Sequence, residues 1–154
     1  MENISADQYE LIYNAFSFTF ATMMAATLFF WLGRAQVTER YKTALTITGL
    51  VTFIAAYHYL RIFQSWDGAF EVVDGQIQST GVAFNDAYRY VDWLLTVPLL
   101  LVELILVMGL SRAETISKGV RLGILAAVMI ALGCPGEVAE TASGRWFWGI
   151  ASMI

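Results

Sequence analysis

Charged residues are scarce in this chain. They make up 14% of 154 residues, while 58% are hydrophobic. A soluble domain carries about 25% charged residues, and the apolar runs here are too long and uniform for one. The chain is therefore expected to lie in a membrane. Lysine is rarer still, with only Lys42 and Lys118. A net charge of −4 leaves no basic surface for nucleic acid. The single cysteine, Cys134, excludes an internal disulfide and leaves no metal-ligand cluster, so no metal is expected. Met1 to Asp7 is acidic and lacks the basic start of a signal peptide. No internal repeat, low-complexity tract, linker, phosphate loop or nucleophilic triad is found.

Apolar segments dominate what is present. A span needs about 20 apolar residues. Uncharged runs cover Leu11 to Leu32, Thr43 to Leu60 and, more briefly, Leu122 to Gly136. These predict helices over about 8–33, 41–64 and 117–135. Another is expected over about 85–110, capped by Asn85 or Asp86, and a fifth from about 143. Between the second and third, Glu71 to Ile77 suggests a short β-hairpin turning at Asp74-Gly75. Trp146 to Ile154 would cover only ~14 Å of a core about 30 Å thick. The expectation is one incomplete transmembrane domain, continued in a longer chain or a second fragment.

Basic residues set the expected orientation. The first connection holds Arg34, Arg40 and Lys42, and the third holds Arg112, Lys118 and Arg121. Both should be cytoplasmic, which puts the N-terminus outside.

The most informative stretch is Arg89-Tyr90-Val91-Asp92-Trp93-Leu94-Leu95-Thr96-Val97-Pro98, followed by Glu103. Ionisable residues at such depth are costly and mark function by default. Asp92 and Glu103 are eleven residues apart, which puts them ~20° apart around a helix and ~16 Å apart along it. Arg89, Asp92, Thr96 and Glu103 thus line one face, the layout needed to pass a proton across a bilayer. Asp92 beside Arg89 and Glu103 among leucines are carboxyl groups in unlike surroundings, which suits an acceptor and a donor. The competing reading is a structural Arg89–Asp92 ion pair with Glu103 bonded to a neighbouring helix. His58, the one histidine, is either a packing residue or a partner at the depth of Asp92. Trp93, Trp146 and Trp148 line a pocket or an interfacial belt, with Trp93 too deep for a belt. Gly133, Gly136 and Gly149 are packing positions or pocket walls.

At these residues the chain resembles the microbial rhodopsins, in particular the proteorhodopsin and xanthorhodopsin-type proton pumps of bacteria. Tyr57-His58-Tyr59, Phe84-Asn85-Asp86-Ala87-Tyr88 and Pro135-Gly136-Glu137 support the likeness. The resemblance implies an all-α fold, the first part of a seven-helix retinal-binding bundle with a hairpin between helices B and C. It implies a light-driven outward proton pump, not an enzyme, in the inner membrane of a bacterium. Asp92 would be counter-ion and proton acceptor, Glu103 the cytoplasmic donor, His58 the partner of Asp92, and Arg89 the gate on the release side. Trp93, Thr96, Leu100, Met129, Gly133, Trp148 and Ser152 would fall on retinal-pocket positions, Leu100 being the green-absorbing choice. Gly149 would sit where a xanthorhodopsin-like pump admits a carotenoid antenna. The family's retinal lysine lies in helix G. Lys42 and Lys118 are both in cytoplasmic connections, so helices F and G must come from elsewhere. A homo-oligomer is expected by family analogy alone. A light sensor, a light-gated channel and a non-photochemical scaffold remain as alternatives.

Overall fold

The computed structural model describes residues 4–73, 76–85 and 87–153. Four of its helices are long and apolar enough to cross a membrane. They follow one another as α1 (Ala6–Gly33), α2 (Glu39–Ala69), α3 (Tyr88–Met108) and α4 (Arg112–Glu137), with a short α5 (Ala142–Ala151) after them. Each helix packs on the next in chain order, as short connections favour. Their outward faces remain apolar and exposed, for example Phe18, Phe29 and Leu32 on α1 and Leu104 on α3. The chain is a multi-pass membrane protein, and those faces suit lipid tails.

Local signals explain most helix ends. Ser5 opens α1 with a capping box: its hydroxyl accepts from Gln8 N at 3.2 Å, and Gln8 Oε1 accepts from Ser5 N at 3.0 Å. Ser111 and Glu114 form the same motif before α4, which therefore starts at Arg112 rather than near 117. Gly109, at φ 66°, terminates α3 in the left-handed conformation that glycine tolerates. A side chain there would also strike the Arg40 guanidinium. Asn85 is not the cap of α3. Its side chain accepts from Ala87 N at 3.0 Å in a turn, and the helix begins at Tyr88 with no side-chain cap. The other cap candidate, Asp86, lies outside the described residues.

α1 and α2 are joined by small and hydroxyl-bearing residues, the usual interhelical contacts in a membrane. Thr27 and Thr52 meet hydroxyl to hydroxyl at 2.9 Å, and Thr27 is 1% exposed. Gly49 lies under the Trp31 indole, where a Cβ would collide with the ring.

α2 continues five residues beyond the expected end at 64 because an aromatic cluster holds its last turns. Trp66, Ala69 and Phe70 are buried there against Tyr9, Tyr13, Phe16 and Phe84. Tyr9 OH donates to Asp67 Oδ1 at 3.1 Å, tying α1 to the same end. Strands β1 (Phe70–Val73) and β2 (Gln76–Ser79) then pair antiparallel, with Val73 opposite Gln76. That register leaves the two-residue connection Asp74-Gly75 expected from the sequence. Those two residues lie outside the described ones.

Candidate functional site

The site is built on α3. Its buried residues are Asp92, Thr96 and Ile105, so two of the three are polar in a helix rich in Val, Leu and Ile. Their i, i+4 spacing puts Asp92 and Thr96 on one face, and that face turns inward toward α2. Pro98, inside the helix, cannot donate to the Leu94 carbonyl. Gly123 of α4 comes close to it, where an added Cβ would lie 3.9 Å from Pro98 Cβ.

His58 of α2 faces Asp92. Nδ1 lies 3.6 Å from Asp92 Oδ1, and both side chains are 8% exposed. The same Nδ1 is 2.9 Å from the Ile54 carbonyl oxygen. A carbonyl cannot donate, so this nitrogen carries a hydrogen and donates it to Ile54. Asp92 Oδ1 is buried and has no hydrogen-bond partner among the described residues. Thr96 does not supply one, because its hydroxyl donates to the backbone carbonyl of Asp92 at 2.8 Å. A buried carboxylate oxygen facing a dipole but bonded to nothing is costly unless a further donor reaches it.

Arg89 reaches across to α4. Its Nη2 lies 3.5 Å from Glu137 Oε1, with both side chains partly exposed. Tyr90 OH donates to the other oxygen of the same carboxylate, Oε2, at 3.4 Å. The motif Pro135-Gly136-Glu137 by itself gives Glu137 no role. The contact joins residues 48 positions apart, which no local pattern encodes. Glu103 is half-buried, three turns along α3 from Asp92.

The positions expected to line a pocket divide. Met129 and Ser152 line an apolar cleft of about 400 Å³ between α3, α4 and α5, together with Val97, Leu101 and Leu132. Gly133 and Trp148 serve close packing. A Cβ at Gly133 would touch the Tyr90 ring at 3.6 Å, and the Trp148 Cβ would lie 3.1 Å from one at Gly136. Trp93, 40% exposed, packs its ring on Tyr90 at 5.2 Å between centroids. Leu100 is 43% exposed. Gly149 is exposed, and a Cβ added there meets nothing within 4 Å.

The family model of bacteriorhodopsin-like proteins matches residues 11–154. The chain belongs to the bacteriorhodopsin-like family. Among the rhodopsins it is similar to, the blue-light absorbing proteorhodopsin of Gamma-proteobacterium Hot 75m4 is 40% identical over 119 residues, covering 76% of this chain and 42% of that protein. Archaerhodopsin-1 of Halorubrum ezzemoulense is 33% identical over 135 residues, covering 86% of this chain and 48% of the relative. The crystal structure of xanthorhodopsin, described as a light-driven ion pump with dual chromophore, superposes with a TM-score of 0.96 at 51% identity. It covers all of this chain, which in turn covers 63% of xanthorhodopsin. The chain thus spans about half the length of the rhodopsins it matches, and the all-α bundle with its hairpin is the rhodopsin fold.

Proposed function

We propose that the chain forms the first part of a light-driven outward proton pump that uses retinal, with Asp92 as proton acceptor and Glu103 as proton donor. One observation carries the reading: the Asp92 carboxylate is buried on the inner face of α3 with an oxygen that lacks a donor among the described residues. That oxygen suits a cationic N–H, and the apolar cleft ending at Met129 and Ser152 suits a long hydrocarbon chain. Met129 and Ser152, with Val97, Leu101 and Leu132, line that cleft and fit the chain of retinal, and the resemblance adds Trp93, Thr96, Leu100, Gly133 and Trp148 to the holding set. The lysine that binds it would come from helices F and G, in a longer chain or a second fragment. Retinal, when bound through that lysine, supplies the absorption of light and a proton that light makes easier to lose.

The chain's own residues do the rest. Asp92 takes that proton at its partnerless carboxylate oxygen. His58, fixed by its bond to the Ile54 carbonyl, keeps a ring N–H dipole 3.6 Å from the same oxygen and so orients the carboxylate. Glu103, further along α3, returns a proton from the cytoplasmic side. Arg89 remains charged throughout and separates Asp92 from the outer medium. The basic connections at Arg34 to Lys42 and Arg112 to Arg121 support a cytoplasmic placement for both. The N-terminus and hairpin then face outward from a bacterial inner membrane, and family analogy adds a homo-oligomer.

Gly149 supports a second chromophore. Its helix face is open, and the xanthorhodopsin it resembles is described as having a dual chromophore. A hydroxylated carotenoid seated there would act as an antenna.

The test is to express the chain with the lysine-bearing helices of a relative, add all-trans retinal and illuminate intact cells at zero gradient. A visible band with steady acidification of the medium is expected. A band without transport would mean a sensor, transport only down an imposed gradient would mean a channel, and no band would mean a scaffold.

A further inference from the structure

α2 turns a continuous stripe outward. Leu50, Phe53, Tyr57, Arg61 and Gln64 recur at steps of three and four residues and are all exposed. The stripe is apolar or aromatic as far as Tyr57, and its next residue is a cation. The uncharged run Thr43 to Leu60 covers ~27 Å of helix, close to the ~30 Å of a hydrocarbon core. Arg61 therefore stands where that core ends, on the hairpin side of the membrane. Its guanidinium is held in place by α3. Nη2 donates to Tyr88 OH at 3.0 Å, and Cζ lies 5.3 Å from the centre of the Tyr88 ring. Tyr57, one turn back on the same face, is 55% exposed. Among the described residues no carboxylate lies within ion-pair distance of Arg61.

We propose that Arg61, with Tyr57 and Tyr88, is a site for the phosphate of an anionic lipid in the leaflet on the hairpin side. A guanidinium presents its N–H groups in a planar fork that matches two phosphate oxygens. The bond to Tyr88 uses one of these hydrogens and leaves the others for a ligand. The Tyr57 hydroxyl adds a donor one turn nearer the lipid tails. The occupant is a lipid because the arginine continues an apolar stripe: Leu50, Phe53 and the Tyr57 ring suit acyl chains, and the charge meets them at headgroup depth. It is an anionic lipid because a headgroup with its own ammonium already neutralises its phosphate, whereas an anionic one leaves that charge for Arg61. Phosphate bound there also braces α2 against the first turn of α3, which Tyr88 opens.

The experiment uses the protein with its lysine-bearing helices, in nanodiscs of equal phosphatidylglycerol and phosphatidylcholine. Lipid retained after transfer to mild detergent is counted by native mass spectrometry for wild type, Arg61→Gln, Arg61→Lys and Tyr57→Phe. Circular dichroism checks that each variant keeps its helices. Wild type should retain phosphatidylglycerol over phosphatidylcholine by about fivefold, the upper range for an exposed ion pair. Arg61→Gln should lose the preference, and Tyr57→Phe should weaken it. Arg61→Lys keeps the charge without the fork and should lose about half of the preference, so the test stands even if Arg61→Gln does not fold. Equal retention of the two lipids by wild type would overturn the proposal. So would an unchanged preference in Arg61→Gln, and a smaller assembly in the same spectra would then assign the arginine to a contact between copies of the chain.

Discussion

Replacing Asp92 with asparagine is the sharpest perturbation of the site. The substitution keeps shape and volume and removes only the charge and the ability to take up a proton. The packing of α3 on α2 should survive, because the affected oxygen makes no hydrogen bond that would be lost. The electrostatic change is large. A unit cation at the 3.6 Å separation that His58 keeps from Asp92 gains about 4–5 kcal/mol from the carboxylate at an effective dielectric constant near 20. That corresponds to about three orders of magnitude in any equilibrium that depends on the anion. Light-driven proton transport by Asp92→Asn should therefore fall below detection, and the pigment should redshift because the charge stabilising its cationic ground state is gone. The assay is medium acidification under illumination with a parallel visible spectrum. Transport within tenfold of wild type would refute the acceptor role, since no barrier of this size can then depend on Asp92.

Glu103→Gln should slow reprotonation by tenfold or more while leaving colour nearly unchanged, as followed by flash photolysis; normal turnover would remove Glu103 from the donor role. Gly149→Trp should fold normally, because an added side chain meets nothing there and loss of a helix-interior glycine gains about 0.5 kcal/mol. It should nevertheless erase the carotenoid contribution to the retinal excitation spectrum. The absence of that contribution in wild type would dispose of the antenna. Thr27→Val should cost about 0.6 kcal/mol in a double-mutant cycle with Thr52→Val, measured by unfolding in mixed micelles; a coupling near zero would mean that the 2.9 Å contact adds nothing beyond each hydroxyl's bond to its own helix.

The membrane class, the hairpin and the line of polar residues on α3 were legible in the sequence for one reason. Each is encoded within a few turns of a single segment, as an apolar run, an alternating stretch or an i, i+4 spacing. The start of α4 is equally legible through Ser111 and Glu114, whose capping box opens the helix ahead of its apolar run. The end of α2 was not. Gln64, Ser65 and Asp67 look like loop residues, and only tertiary contacts, Tyr9 to Asp67 and Trp66 in its aromatic cluster, keep them helical. The Arg89–Glu137 contact was hidden for the same reason, since it depends on how two helices meet.

Among the described residues, the buried polar and charged ones are Thr27, His58, Asp92 and Thr96, and they differ in what satisfies them. Thr27 and Thr96 donate to carbonyls of their own helices, so burying them costs little. His58 does the same through Ile54. Of these four, Asp92 alone keeps a buried carboxylate oxygen without a donor. A packing role does not account for that, because asparagine or threonine would pack as well without the penalty of a buried acid. A carboxylate that must bind and lose a proton does account for it, since a full set of donors would hold it permanently in one state. The unmet demand at Asp92 is thus the physical reason for proposing it, rather than His58 or Glu103, as the proton acceptor.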